Sequence, residues 1–182
     1  MVDVQPLRAD AKRNRARVLE VAAQVFAVDG LSVPVHEIAR RAGVGTGTVS
    51  RHFATKEDLF EAVARTHVDK LLARAAELAE EENAGVAFTS FFTAMAEACS
   101  VNRGLAERVF TLASHQPGLG RRVGLEALCD RLGILLSQAQ QAGAVRPDVV
   151  LADVEALMSG CIARTGELHA VITVVHDGLK AR

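Results

Sequence analysis

The spacing of apolar residues along this chain is the feature that most restricts its fold. Apolar side chains recur every three or four residues, as at Leu19, Ala22, Ala23 and Phe26. This is the period of a helix that buries one face, and no segment of alternating β-branched residues competes with it. With 182 residues, 49% of them hydrophobic, the chain can build a real core. The sequence therefore predicts an all-α fold of about nine helices, without a repeat of constant period.

Helix-breaking and capping residues set the expected helix boundaries. Pro34 suits the first position of a short helix, because its missing amide would have no partner there. Thr55 and Asp58 have the spacing of a capping box, in which each side chain accepts from the backbone amide of the other residue. The expected helices are one that ends at Asp29-Gly30, then 34–41, about 46–52, 55–82, 88–99, about 105–114, 125–139, 154–165 and 168–179.

Charge is distributed unevenly, although it nearly cancels overall. The 21 basic and 22 acidic residues give a net charge of -1. No global positive field therefore indicates nucleic acid or a membrane surface as a partner. Residues 8–17 nevertheless contain five basic residues and one acidic residue, which we interpret as a basic arm before the first strong helix. Such an arm is either simply solvated or seeks phosphate groups.

Membrane, redox and catalytic signals are missing from the sequence. The N-terminus lacks the apolar segment of a signal peptide, and no run approaches the ~20 apolar residues of a spanning helix. Cys99, Cys129 and Cys161 are odd in number, far apart and placed within apolar helical patterns, which favours buried, reduced thiols in a cytoplasmic protein. The histidines beyond residue 100 do not have the spacing of a helical metal site. We expect no metal, no cofactor, no membrane partner and no enzymatic activity.

The glycine-rich stretch at residues 43–57, GVGTGTVSRHFATKE, allows two functional hypotheses. A loop that binds a nucleotide phosphate would follow an apolar strand with a G-x-G-x-x-G pattern, or would end in Gly-Lys-Ser/Thr. This stretch instead has G-x-G-x-G and follows a polar helix. The spacing therefore disfavours a phosphate loop and leaves an element that lies against nucleic acid.

The same stretch has the pattern of a helix-turn-helix. Gly43 can supply the backbone conformation of the turn, and Val44 and Val49 would pack on Ile38 and Ala39 of the preceding helix. The residues that would then face outward are Thr46, Gly47, Thr48, Ser50, Arg51 and His52. A recognition helix reads base edges from its N-terminal residues, which predicts this role for Thr46 and Gly47. The hydroxyl and basic side chains, together with Lys56, suit phosphate oxygens.

These motifs resemble the DNA-binding domain of the TetR family of bacterial transcriptional regulators. The resemblance covers residues 17–30, 37–44, 47–49, 52–53 and 56–59, in order and at the family's spacing. It implies an all-helical homodimer that binds a palindromic operator, usually as a repressor released by a small molecule in the C-terminal body. The chain departs from the family at Val33 and Gly45, where hydroxyl caps are usual, and at Ser50, where many members have a tyrosine.

Motif and resemblance together predict a domain division and three sets of site residues. Residues 1–60 would form the DNA-binding domain, and residues 61–182 the ligand-binding and dimerisation domain. The residues predicted to contact double-stranded DNA are Arg13, Arg17, Pro34, His36, Arg40, Gly45, Thr46, Gly47, Thr48, Val49, Ser50, Arg51, His52, Phe53 and Lys56. The predicted effector pocket consists of Phe88, Phe91, Phe92, Met95, Cys99, Phe110, His115 and Leu132, with Asn102 and Gln116 as further polar groups. The predicted dimer interface consists of Val154, Leu157, Met158, Cys161, Ile162, Thr165, Leu168 and Ile172.

Two alternatives stay open at this level. The phenylalanine-rich set could be ordinary core and not a pocket, because a core and an apolar pocket have the same composition. The chain could also be a small-molecule carrier or enzyme that retains a vestigial DNA-binding head.

Overall fold

The computed structural model describes residues 5–116, 118–163 and 166–181, without the side chains of residues 5–9, 112 and 114. These residues form ten α-helices and no β-strand, as the all-α prediction requires. The helices are α1 (Gln5–Val28), α2 (Val35–Arg41), α3 (Thr46–His52), α4 (Lys56–Leu78), α5 (Ala84–Val101), α6 (Arg103–His115), α7 (Leu119–Val123), α8 (Leu125–Gln141), α9 (Leu151–Ala163) and α10 (Leu168–Leu179).

The front of the chain forms a small core around α1, α2, α3 and the start of α4, which we call the head. Ile38 of α2 and Val49 of α3 are buried there against the apolar face of α1. The rings of Phe26 and Phe60 meet edge to face at 5.9 Å and attach α1 to α4. This aromatic contact stabilises the head beyond its area burial.

The head core also includes residues far beyond position 60. Leu105 and Val109 of α6 and Leu119 and Val123 of α7 belong to the same buried cluster as α1 and α2. At the surface, the Arg122 guanidinium of α7 makes two bonds of 2.9 and 2.7 Å to the Glu61 carboxylate of α4. The division at residue 60 stays a prediction, but the helices after it contribute directly to the packing of the head.

The rest of the molecule, which we call the body, consists of the second half of α4 with α5, α8, α9 and α10. Its core centres on α5, whose Phe88, Phe91 and Phe92 are fully buried. Gly85 lies at the start of this helix, where a Cβ atom would be 2.6 Å from the Ala144 Cβ atom. Only a glycine lets α5 approach this segment so closely.

Helix α5 is, among the described residues, the one helix with the length and hydropathy needed to cross a membrane. Its phenylalanine side chains are enclosed by other helices of the body. Core helices of globular domains satisfy the same criterion, so this feature is weak evidence of a membrane segment.

The start of α4 has the predicted local structure, whereas the starts of α1 and α2 differ from the prediction. The capping box is confirmed, because Asp58 N donates to Thr55 Oγ1 at 3.0 Å and Thr55 N donates to Asp58 Oδ2 at 2.9 Å. The basic arm is wrong as a separate segment, since the described part of residues 8–17 is helical and belongs to α1. Pro34 is the N-cap of α2 and not its first helical residue.

Two further helix boundaries differ from the prediction. Helix α4 ends at Leu78, before the acidic residues 80–82. Asn83 then accepts from the amide of Val86 and caps the next helix. The predicted breaker at residues 116–120 contains the start of the short helix α7, which is capped at its two ends by the left-handed glycines Gly118 and Gly124. Apolar spacing missed α7 because five residues are too few to show a helical period.

Candidate functional site

The turn between α2 and α3 has the geometry of a helix-turn-helix. Gly43 has φ +65°, the left-handed conformation that side chains disfavour. The amide of Val44 donates to the Ala39 carbonyl at 3.0 Å and closes the turn. Val49 is 1% exposed and packs in the cluster that contains Ile38. The orientation of α3 on α2 is therefore fixed by a buried contact.

The opposite face of α3 is open to solvent. Thr46, Gly47, Ser50 and Arg51 are exposed. No heavy atom lies within 4 Å of the position that a Cβ atom would occupy at Gly47. The helix thus presents hydroxyls, a guanidinium and a bare stretch of backbone on one surface. Such a surface can approach another molecule closely and form hydrogen bonds with it.

Two residues predicted to contact DNA are buried and cannot serve as direct contacts. Val49 and Phe53 lie in the head core, where the apolar face of α3 and the residue that follows it must pack. The Arg15 guanidinium lies 5.2 Å from the centre of the Phe53 ring. Arg15 was not among the site residues predicted from the sequence, and the one signal for it was the density of basic residues at 8–17. Val49 and Phe53 thus support the exposed face of α3 from behind and are not part of it.

A network of ion pairs holds the end of α2. Arg40 donates to both oxygens of Glu37 at 2.7 Å, and Arg41 bonds Glu37 at 2.8 Å and Asp29 at 2.6 Å. The hydrogen bonds from Arg40 and Arg41 lower the pKa of Glu37 to about 2. Arg40, a predicted DNA contact, is therefore engaged within α2, although its side chain is largely exposed.

The remaining predicted DNA contacts are distributed around α3. Lys56 is half-buried and its Nζ donates to the Leu31 carbonyl, so in this structure it does not point to the face of α3 as expected. Arg17 lies over the turn, with Nη1 3.9 Å from the Cβ position at Gly43. Arg13 is exposed and bonds Asp10. The exposed set also includes Pro34, His36 and Gly45, with Thr48 and His52 partly exposed.

A cavity of about 80 Å³ lies between the head core and the body core. Leu105 and Val109 of its lining belong to the head core, whereas Met95, Leu128 and Met158 belong to the body core. The other lining residues are Ala64, His67, Val68, Leu71, Ala98, Cys99, Asn102, Ala106, Phe110 and Leu125. A molecule that enters this cavity would contact both cores at once.

The predicted effector pocket is only partly correct. Met95, Cys99 and Phe110 line the cavity, as does the polar residue Asn102. Phe88, Phe91, Phe92 and Leu132 are instead buried in the body core, because they lie on the side of their helices that faces the other body helices. His115 is exposed and its Nδ1 is 2.7 Å from the Thr111 carbonyl oxygen, away from the cavity.

Ionisable groups at the cavity are shifted toward their neutral forms. Burial lowers the pKa of His67, and the nearby positive charge of Lys70 lowers it further. Burial raises the pKa of the Cys99 thiol to about 11. The cysteines at 99, 129 and 161 are all unpaired, and only Cys161 is fully buried. The described residues contain no group of three side chains placed to hold a metal ion.

The predicted dimer interface lies mostly inside the subunit. Val154, Met158, Cys161, Ile162 and Ile172 are buried in the body core, and Leu168 is half-buried against it. Leu157, at 37% exposure, is the member that faces solvent. Thr165 lies outside the described residues. The buried members of the stripe are apolar because they pack within their own subunit, so they are not available to contact a second copy.

The outward faces of α9 and α10 have a different composition. They carry small residues, such as Ala156 and Gly160 on α9 and Ala170 on α10, beside Leu157. Val174 on α10 is 71% exposed. Small side chains allow another helix to approach closely, and exposed Val and Leu would gain from being covered.

Comparisons with known proteins cover both halves of the chain. A family model described as bacterial regulatory proteins of the tetR family matches residues 18–63. A second, described as the C-terminal domain of SbtR-like transcriptional regulators, matches residues 83–181, which is more than half of the chain. An HTH-type transcriptional regulator of Staphylococcus aureus strain USA300 is 39% identical over 64 residues, a match that spans 35% of each protein.

Solved structures resemble the chain over nearly its whole length. The TetR transcription regulatory protein of Mycobacterium vanbaalenii is 44% identical, and the match covers 97% of this chain and 100% of that one, with a TM-score of 0.73. The TetR transcriptional regulator SCO0520 of Streptomyces coelicolor is 26% identical over 92% of this chain and 98% of its own, with a TM-score of 0.69.

Proposed function

This chain belongs to the TetR family of bacterial transcriptional regulators, and from that premise we propose that it is a homodimeric repressor. It binds a palindromic operator through α3 and is released by a small effector. The observation that carries the proposal is the outer face of α3, where exposed Thr46, Gly47, Ser50 and Arg51 stand on a buried Val49. The buried side fixes the helix, and the exposed side carries groups that can read base edges and bind phosphates.

Dimerisation is assigned to the outward faces of α9 and α10. Exposed Leu157 and Val174 supply apolar area, and Ala156, Gly160 and Ala170 allow close helix approach. The same face on a second copy is self-complementary, as a two-fold interface requires. We expect Val174→Asp to convert the dimer into monomers in sedimentation, because it places a charge in the seam. The matched change Val28→Asp, at another exposed valine but in the head, should leave the dimer intact.

We assign binding of the effector that releases the protein from its operator to the cavity between the two cores. Its lining includes Ala64, His67, Val68 and Leu71 of α4, the helix that directly follows α3. A ligand that alters the packing of α4 would change the angle between the two heads of a dimer. Effector and operator affinities must then be coupled equally in both directions.

Selection of bound DNA from a random pool tests the proposal. We expect an inverted repeat whose half-site centres lie about one helical turn apart, ~34 Å, with affinity that falls steeply as salt rises. Arg51→Ala should weaken binding to all sequences and lower the salt slope by about one. Arg74→Ala, a matched loss of an exposed arginine in the body, should change neither. Failure to enrich any repeat would contradict the proposal.

A further inference from the structure

A surface groove of about 640 Å³ adjoins the cavity between the two cores. Two residues, His67 of α4 and Asn102 at the end of α5, line both spaces. The cavity and the groove are therefore neighbours, with this pair in the wall that they share. A molecule longer than the cavity would reach the groove where the side chains of His67 and Asn102 turn aside.

The groove is bounded on one side by α1 of the head. The lining residues from that helix are Ala16, Leu19, Glu20, Ala23, Gln24, Ala27 and Val28. The opposite face of α1, with Val18, Ala22 and Phe26, forms the head core with α2 and α3. Any molecule in the groove would thus contact the helix on which the helix-turn-helix packs.

The chemistry of the two spaces differs sharply. The cavity is lined by alkyl, thioether and aromatic groups, and its polar lining residues are the boundary pair and the neutral thiol of Cys99. The groove adds Glu20, Gln24, Thr66 and Lys70. The opposite charges of Glu20 and Lys70 leave the groove without a net charge that would select an ion of one sign, and its side chains offer hydrogen-bond donors and acceptors to an uncharged polar end.

The boundary pair is suited to hold one polar atom of a ligand. Asn102 Nδ2 donates to the Ala98 carbonyl at 3.1 Å, and this bond does not use the side-chain oxygen. Burial favours the neutral imidazole of His67, which carries one donor and one acceptor. A hydroxyl or carbonyl placed here would find a partner at the point where the apolar lining ends.

We propose that cavity and groove form one effector site for an uncharged amphipathic molecule, with a short alkyl end inside and a polar end against α1. This inference rests on the proposed function and specifies its ligand class. The cavity is smaller than the ~150 Å³ that holds benzene in an engineered protein core, so the inner end is a short alkyl chain and not a ring. The polar end wedges between α1 and α4 and links ligand binding to the position of the head.

Two probe series test the site by calorimetry on the full chain. The straight-chain alcohols from ethanol to octan-1-ol probe the cavity, and 1-O-butylglycerol adds a polar extension to the same tail as butan-1-ol. We expect affinity for the alcohols to rise about fourfold per methylene until the cavity is full and then to level off. 1-O-butylglycerol should bind about fivefold more tightly than butan-1-ol, because its glycerol end forms added hydrogen bonds.

Two substitutions separate the inner and outer parts of the site. Ala106→Leu fills the cavity and should weaken both butan-1-ol and 1-O-butylglycerol tenfold or more, by about the methylenes it displaces. Ala27→Leu projects a larger side chain from α1 into the groove and should reduce or remove the advantage of the glycerol extension while leaving butan-1-ol unchanged. Ala98→Val and Ala23→Val are milder versions of the same two changes if a leucine variant does not fold. Ala79→Leu, at an exposed position outside both spaces, is the control.

The outcomes distinguish this inference from the proposed function. Equal binding of both probes to the wild type and to Ala106→Leu would overturn the cavity assignment. A glycerol advantage that is absent, or that is undiminished in Ala27→Leu, would overturn the continuous site. Operator binding by the unliganded wild type tests the proposed function separately, so either claim can fail while the other stands. If both hold, 1-O-butylglycerol should shift operator affinity more than butan-1-ol does at equal occupancy.

Discussion

The outer face of α3 and the cavity between the two cores are surfaces of opposite kinds. Side chains on α3 face solvent, and the helix is held from behind by Val49. Cavity residues such as Met95 and Leu128 are at the same time members of the body core. A change on α3 can therefore alter binding without altering stability, whereas a change at the cavity alters both. In the proposed function, specificity for DNA and specificity for an effector would therefore be under different constraints in one chain.

Truncating a side chain in the body core should have the largest effect on the free energy of unfolding, in contrast to changes on the outer face of α3. Phe91→Ala should lower the free energy of unfolding by about 3–5 kcal/mol, because it removes a fully buried ring and leaves a cavity. Urea denaturation measures this change. Val150→Ala, at an exposed valine, should stay within about 0.5 kcal/mol of the wild type. A small loss at Phe91 would mean that the body core repacks more easily than its close packing suggests.

A smaller loss is expected where α5 approaches the loop after α8. Gly85→Ala should cost about 1–3 kcal/mol of unfolding free energy, because the new Cβ atom would be 2.6 Å from that of Ala144. The second change Ala144→Gly removes the clash and should restore most of the stability. A double variant as unstable as Gly85→Ala would place the cause elsewhere.

Loss of the helix cap at the start of α4 should have an intermediate effect in the head. Thr55→Ala should cost about 1 kcal/mol, since Asp58 N loses its acceptor, whereas Thr55→Ser should keep nearly full stability. Thermal unfolding of the two variants compares them directly. Equal stability of the alanine and serine variants would contradict the role of the cap.

The smallest effect is the contribution of Glu37 to stability at low pH. Its folded-state pKa of about 2 lies below the ordinary value of 4.5, so the ionised form is favoured by folding. This contribution is present above about pH 4.5 and is lost as the pH falls toward 2. A carboxyl NMR titration should show the low pKa, and Glu37→Gln should flatten the pH dependence of stability in this window. An ordinary pKa would mean that Arg40 and Arg41 are free in solution.

The sequence allowed the head to be predicted more completely than the body. The helix-turn-helix depends on local signals, such as the glycine needed at position 43 and the apolar residue at position 49. The contact between Arg15 and Phe53 was missed because it joins residues nearly forty positions apart in the chain. No local signal determines which basic residue of α1 reaches a ring of the head.

In the body, apolar spacing predicted which side chains are buried but not which element packs against each of them. Phe91 and Cys99 lie on one helix, yet only Cys99 lines the cavity, because the cavity forms where two cores fail to fill the space between them. The stripe around Val154 and Met158 was wrongly predicted to form the dimer interface, because apolar spacing does not show that other helices of the same subunit cover it. An apolar stripe indicates that something covers it, and only the tertiary structure indicates whether that is the same subunit.

The central claim is that α3 is the surface that reads DNA, and the Gly47→Ala variant tests it most directly. Two quantities are measured for this variant: its affinity for the selected operator and its free energy of unfolding. The Cβ atom meets nothing within 4 Å, so stability should be unchanged or higher by up to about 1 kcal/mol. Operator affinity should fall about tenfold or more, because the methyl group keeps the backbone of α3 from the base edges. The matched change Gly120→Ala in α7, also without a clash, should leave operator affinity intact. Wild-type affinity in the Gly47→Ala variant would contradict the assignment of α3 as the surface that reads DNA.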